Sequence, residues 1–185
     1  MAAADTQQDA QRPERGYHEE PTREALEIIP TGLFLLTAAH NGQDNWQFVQ
    51  RGLGITAGPP TIVLVVLSPS NKTTELVEAS GEFGLSVCSP DQGDLVIKSR
   101  GLTGHKVEDK FAAVGLERIP STHIGAPLIA NAFATMECVV QHRYPAGDRI
   151  MYVGEVLSLR HDPGTEPLVH YEKRIYRFLQ DPAIG

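Results

Sequence analysis

The feature that most constrains this chain is the recurrence of short apolar bursts cut by Gly, Pro, Asn and Asp. GLFLLTAA (32–39), WQFVQ (46–50), TIVLVVLS (61–68), FGLSVCS (83–89), ATMECVVQHRY (134–144), IMYVGEVLSLRH (150–161) and PLVHYEKRIYRFL (167–179) are each rich in β-branched and aromatic residues. Runs of that length and bounding read as strands. They are too many for an α/β sheet, and HNGQDN (40–45) reads as a loop between two of them. Helices are few: 72–81, 89–101 and a turn or two at 107–115. PTREALEIIP adds one more, capped by Thr22, with Glu24 in its first turn and Pro30 as its stop. Antiparallel strands with interspersed short helices favour a β-barrel, which removes exposed strand edges by closing on itself.

With 185 residues and 41% hydrophobic content, one core and one domain are expected. Residues 1–20 are polar and aperiodic and read as a flexible arm, leaving 21–185 as the folded domain. The formal charge is −7 and no basic block offsets it, so no nucleic-acid footprint is present. TIVLVVL is too short to span a bilayer and the N-terminus lacks a signal-peptide core, so the expectation is a soluble, cytoplasmic protein without membrane contact. Cys88 and Cys138 lie far apart and read as buried thiols. The seven histidines contain no pair at helical i, i+4 spacing and no Cys at zinc distances, so metal binding has no support.

GLGITA (52–57) matches the Gly-x-Gly-x-x-Ala dinucleotide pattern, but Pro59-Pro60 stands where that pattern needs helical amide donors. It is not a Rossmann turn. SPSNKTTEL (68–76) gathers Ser68, Ser70, Asn71, Lys72, Thr73 and Thr74 at a helix start, where free amides and the dipole favour a phosphate. Ordinary capping explains the same residues equally well. KTTELVEASG then places Leu76, Val77 and Ser80 on one face and ends at Gly81, a left-handed cap. GHKVEDKF (104–111) is a mixed-charge cluster that reads either as a solvated turn, with Glu108 and Asp109 pairing Lys106 and Lys110, or as a clasp on a charged ligand.

Taken in order, the segments resemble the flavin reductase-like family, an FMN-binding split barrel of Greek-key type found in the reductases of two-component monooxygenases and in flavoredoxins. The resemblance spans residues 24–179 and rests on TGLFLLTA, Pro59-Pro60 before TIVLVVL, Lys72-Thr73 leading to ASGEFGLSV, DKF at 109–111, APLIANAFATMECVV, Gly147-Asp148, VGEV and PLVHY. It implies a homodimer binding FMN or FAD, with NADH or NADPH as the hydride source and an oxygenase component as partner. By position, Gln47, Val49, Gln50, Arg51 and Gly52 would wrap the ring, and Ser68, Asn71, Lys72 and Thr73 would face the phosphate and ribityl chain. His105, Lys106, Lys110 and Phe111 would close the site. Many reductases carry Gly-Asp-His where this chain has Gly147-Asp148-Arg149, so Asp148 and Arg149 are the candidates on the nicotinamide side. Arg51 is a candidate for either the reduced ring or the phosphate. A flavoredoxin-like carrier that ignores NAD(P)H, and a barrel that binds a ligand without turnover, are the alternatives.

Overall fold

A computed structural model describes residues 24–56 and 58–177. The Thr22 cap and the 1–20 arm therefore lie outside the described residues. After a 3-10 turn at Glu24–Ile28 come β1 (Thr31–Gly32), β2 (Phe34–His40), β3 (Gln43–Val49), β4 (Gly52–Thr56), β5 (Ile62–Leu67) and α1 (Lys72–Ser80). Then follow β6 (Glu82–Val87), α2 (Leu95–Lys98), α3 (Lys110–Val114), β7 (Arg118–Ile119) and β8 (Leu128–Ile129). The long hairpin β9 (Ala134–Ala146) and β10 (Arg149–His161) precedes β11 (Leu168–Tyr171) and β12 (Arg174–Arg177).

Seven strands form one sheet in the order β3-β2-β6-β9-β10-β5-β4, with β1-β11-β12 and β7-β8 as small separate sheets. The two edge strands of the large sheet, β3 and β4, are consecutive in sequence and joined only by Gln50 and Arg51. Laid flat, seven strands would put those edges roughly 28 Å apart, six spacings. The step from Val49 to Gly52 reaches at most about 11 Å. The sheet must therefore curl into a barrel, and the two-residue link sits where it stays open.

Alternation drives burial inside it. Val63, Val65 and Leu67 of β5 point into a core with Leu36, Phe83, Leu85 and Tyr152, and α1 covers it with Leu76 and Val77. β2 is buried on both faces, because Leu36 and Ala38 enter the first core while Leu35, with Leu33 just ahead of the strand, enters a second with Trp46, Leu95, Phe111 and Leu168. Cys88 and Cys138 are buried, and burial pushes both thiols up to about 12.

Local readings differ in two places. HNGQDN is not a loop: Asn41 and Gly42 alone turn the β2–β3 hairpin, both with positive φ (50° and 76°), and Gln43 already pairs with His40. The stretch 89–101 is broken: Ser89 and Gln92 form a capping box around a single 3-10 turn, after which only Leu95–Lys98 is helical. GLGITA opens no helix, as expected, and its first five residues form β4. Among the described residues no helix is long and apolar enough to cross a membrane.

Candidate functional site

Asn71 occupies the N-cap of α1 in extended conformation, yet its side chain makes no capping bond. Its amide donates instead to Gln47 Oε1. The first-turn amides of a nine-residue helix are thus left without a side-chain acceptor, and Lys72 stands at the opening with its Nζ 3.3 Å from Glu75 Oε2. Ser68 and Ser70 hydroxyls meet at 3.0 Å beside it. His105 Nε2 lies 3.2 Å from the Ser70 carbonyl oxygen, so the loop at 104–106 touches the loop at 68–71.

Gly104 makes that contact possible, because a Cβ there would fall 2.2 Å from Asn45 Nδ2 and 2.8 Å from Lys72 Cβ. Asn45, which sequence reasoning missed, accepts from both Thr73 Oγ1 (3.2 Å) and the Trp46 amide (2.8 Å). Between these segments runs a polar cleft of about 630 Å³ lined by Lys72, His105, Lys106, Asp109 and Arg118.

The expected wrap at 47–52 divides by alternation. Val49 is buried in the barrel core and Gln47 faces Asn71, whereas Phe48 and Gln50 look outward. Gln50, Arg51 and Gly52 line a crevice of about 300 Å³ along the outer face of β5, with Leu26, Ile29, Leu64 and Val66 as its apolar walls. The Thr31 hydroxyl in that crevice is buried without a hydrogen-bond partner. Ser68 follows Val66 by two residues, about 7 Å further along the strand direction, on the same side of the chain as Leu64 and Val66.

Three expected contacts are corrected. Lys110 is 9% exposed and donates to the Trp46 carbonyl oxygen at 2.9 Å, so its ammonium braces β3 rather than facing a ligand. Phe111 is fully buried against Trp46 and Val49 lies inside the barrel, so neither lines an opening. The charge pairing within GHKVEDKF also differs: Asp109 caps α3 through the Ala112 amide and pairs with Arg118, which grips Asp44 as well. Those bonds hold the Asp109 carboxyl below its ordinary range, with Arg118 as the main cause.

Asp148 and Arg149 form the tip of the β9–β10 hairpin and pair at 3.3 Å. Since Ile150 registers with Leu67, Arg149 is carried alongside Ser68. A residue not anticipated is His170 of β11, 8% exposed, whose Nε2 lies 3.2 Å from Gln50 Nε2.

An apolar slot with an orphaned hydroxyl, and uncapped helix amides beside a lysine, have the chemistry that suits a flat ring and a phosphate. The Flavin reductase like domain model matches residues 26–179. The chain belongs to the flavin reductase-like family. Within that family it is 32% identical over 152 residues to the actinorhodin polyketide dimerase of Streptomyces coelicolor, covering 82% of each chain. It is 30% identical over 165 residues to an NADH-dependent FMN reductase of Streptomyces nodosus subsp. asukaensis, covering 87% of this chain and 85% of that one. A flavin-dependent monooxygenase reductase subunit of Mycobacterium tuberculosis is 29% identical over 145 residues, 78% of this chain and 73% of its own. The structure of a Streptomyces globisporus NADH:FAD oxidoreductase with NAD and FAD fragments superposes with a TM-score of 0.75 at 24% identity, covering 86% of this chain and 92% of that one. The family likeness and the strand order agree on the split barrel.

Proposed function

We propose that this protein is an NAD(P)H-dependent flavin reductase that supplies reduced flavin to a partner oxygenase component. The observation that carries the reading is the α1 start left without a side-chain cap beside Lys72, with an apolar crevice along β5, in a chain whose relatives include an NADH-dependent FMN reductase and a monooxygenase reductase subunit. The chemistry that a flavin would supply here is hydride acceptance and onward electron transfer, which no side chain of this chain provides.

The chain's own residues supply binding and electrostatics. Lys72, the first α1 amides and the Ser68 and Ser70 hydroxyls would hold the phosphate, a dianion suited to charge-assisted donors. Leu64, Val66 and Ile29 exclude water from the ring. Arg51, exposed at the crevice, offers a positive charge to the reduced ring. Arg149, beside Ser68, serves the phosphates of the hydride donor, and Asp148 orients it. His105 and Lys106 form the outer wall. A homodimer belongs to the same proposal, with Ile55, Leu157 and Leu159 as an exposed apolar face on β4 and β10. So does the division into a 1–20 arm and a 21–185 domain.

The test is anaerobic mixing of the protein with FMN or FAD and either nicotinamide while following the yellow absorbance of the oxidised flavin. Catalytic bleaching is expected. Absorbance that stays unchanged with both NADH and NADPH contradicts the reading.

A further inference from the structure

His170 stands in the wall between two openings. One is the β5 crevice; the other is a cleft of about 680 Å³ floored by Phe48, Val96 and Ile175. Glu27, Gln50 and His170 line both. β11 fixes the histidine, because Thr31 and His170 are register partners and Leu168, on the same strand face, is buried in the second core.

The bond between Gln50 and His170 is one-directional. A carboxamide nitrogen can only donate, so the imidazole Nε2 must accept, and a neutral ring then carries its proton on Nδ1. With one of its two N–H donors committed to the imidazole, Gln50 has its Oε1 acceptor and a single N–H left to offer the openings. A protonated ring reverses this. Its Nε2–H would oppose the amide N–H₂, and the carboxamide must rotate to turn Oε1 to the ring and its two N–H donors outward.

Charged neighbours surround the ring from each element packed on it. Glu27 of the first 3-10 turn lies 3.9 Å from Nε2, beyond hydrogen-bonding reach but placed to favour the cation. Arg51 of the β3–β4 link, Arg100 beyond α2 and Lys173 of the β11–β12 turn line the two openings and oppose it.

We infer that His170 is a positioning residue for the Gln50 carboxamide, and that the charge on its ring decides whether the crevice wall presents an acceptor with one donor or a pair of donors. The inference rests on the flavin reductase reading only for the ligand that the wall serves.

The experiment begins with flavin-free wild-type protein, using nitrogen-detected NMR of the imidazole and of the Gln50 side-chain amide across the titration of the ring. The neutral ring should carry its proton on Nδ1, and the Gln50 amide signals should move with the same midpoint as His170. A neutral ring protonated on Nε2, or Gln50 signals that ignore the titration, would overturn the inference. Riboflavin affinity, which is free of the phosphate's own ionisation, is then measured against pH in wild type and in His170→Gln, whose amide can accept but cannot charge. Wild type should change about fivefold through the His170 titration, the worth of one neutral hydrogen bond, and His170→Gln should stay flat. An equal pH dependence in the variant overturns it too. Should the variant not fold, the wild-type spectra decide. Should neither riboflavin nor FMN bind, the reductase reading fails while the spectra still judge the His170–Gln50 relation.

Discussion

The Lys110 ammonium donates to the Trp46 carbonyl oxygen at 2.9 Å and lies 4.2 Å from the centroid of the Trp46 ring. One lysine thus ties α3 to β3, next to Asn45 and Gln47, through a charge-assisted bond and a cation–π contact. Burial lowers its pKa to about 8 from the ordinary 10.5. Between those values the unfolded chain binds more protons than the folded one, so stability attributable to this group rises with pH. The cost of burying the charge is full below the folded value and is relieved as pH approaches the unfolded one. Lys110→Met does not titrate, so its stability relative to wild type should be highest near neutral pH and decline toward about pH 10, as read by urea unfolding across pH.

Lys72 and the α1 amides should be felt by a phosphate and ignored by its absence. Lys72→Ala is expected to weaken FMN by about tenfold while leaving riboflavin, which has no phosphate, nearly unchanged. Fluorescence titration of both ligands measures the ratio. Equal losses for the two would place the lysine elsewhere.

Gly104 is where the two loops of the site touch. Gly104→Ala drives a Cβ to 2.2 Å from Asn45 Nδ2, so the loop must back away from β3 and α1. A loss of about 1–3 kcal/mol in stability is expected, together with weaker FMN binding. Gly58→Ala is the control, because an added Cβ there meets nothing within 4 Å.

Much of this architecture is legible in the sequence. The Leu76–Val77 face and the Gly81 stop of α1 follow from helical period and left-handed capping, and Gly81 takes φ 73°. The strands follow from their β-branched runs. Barrel closure through Gln50 and Arg51 was not legible, since it depends on which strands pair across the whole chain. Lys110 misled because its acceptor is a backbone carbonyl 64 residues away, a group common to every residue. Asn45 was hidden likewise, its partner Thr73 being 28 residues distant. His170 carried a usable signal: alternation in Leu168-Val169-His170-Tyr171 puts it on the face of the buried Leu168.

Arg149 offers a further check on the hairpin tip. Its pairing with the exposed Asp148 holds little stability, so Arg149→Ala should leave unfolding within about 0.5 kcal/mol of wild type. Its backbone follows the Ile150–Leu67 register toward Ser68, and steady-state kinetics should show KM for the nicotinamide donor rising several-fold with kcat little changed. A fall in kcat at constant KM would assign it to the chemistry instead.

A crystal structure of the protein grown with FMN tests the whole account most directly. The phosphate should sit within hydrogen-bonding distance of the Lys72 and Thr73 amides, with the ring against Gln50–Gly52 and the outer face of β5. Density for FMN in the cleft floored by Phe48 and Ile175, with the start of α1 untouched, would contradict it.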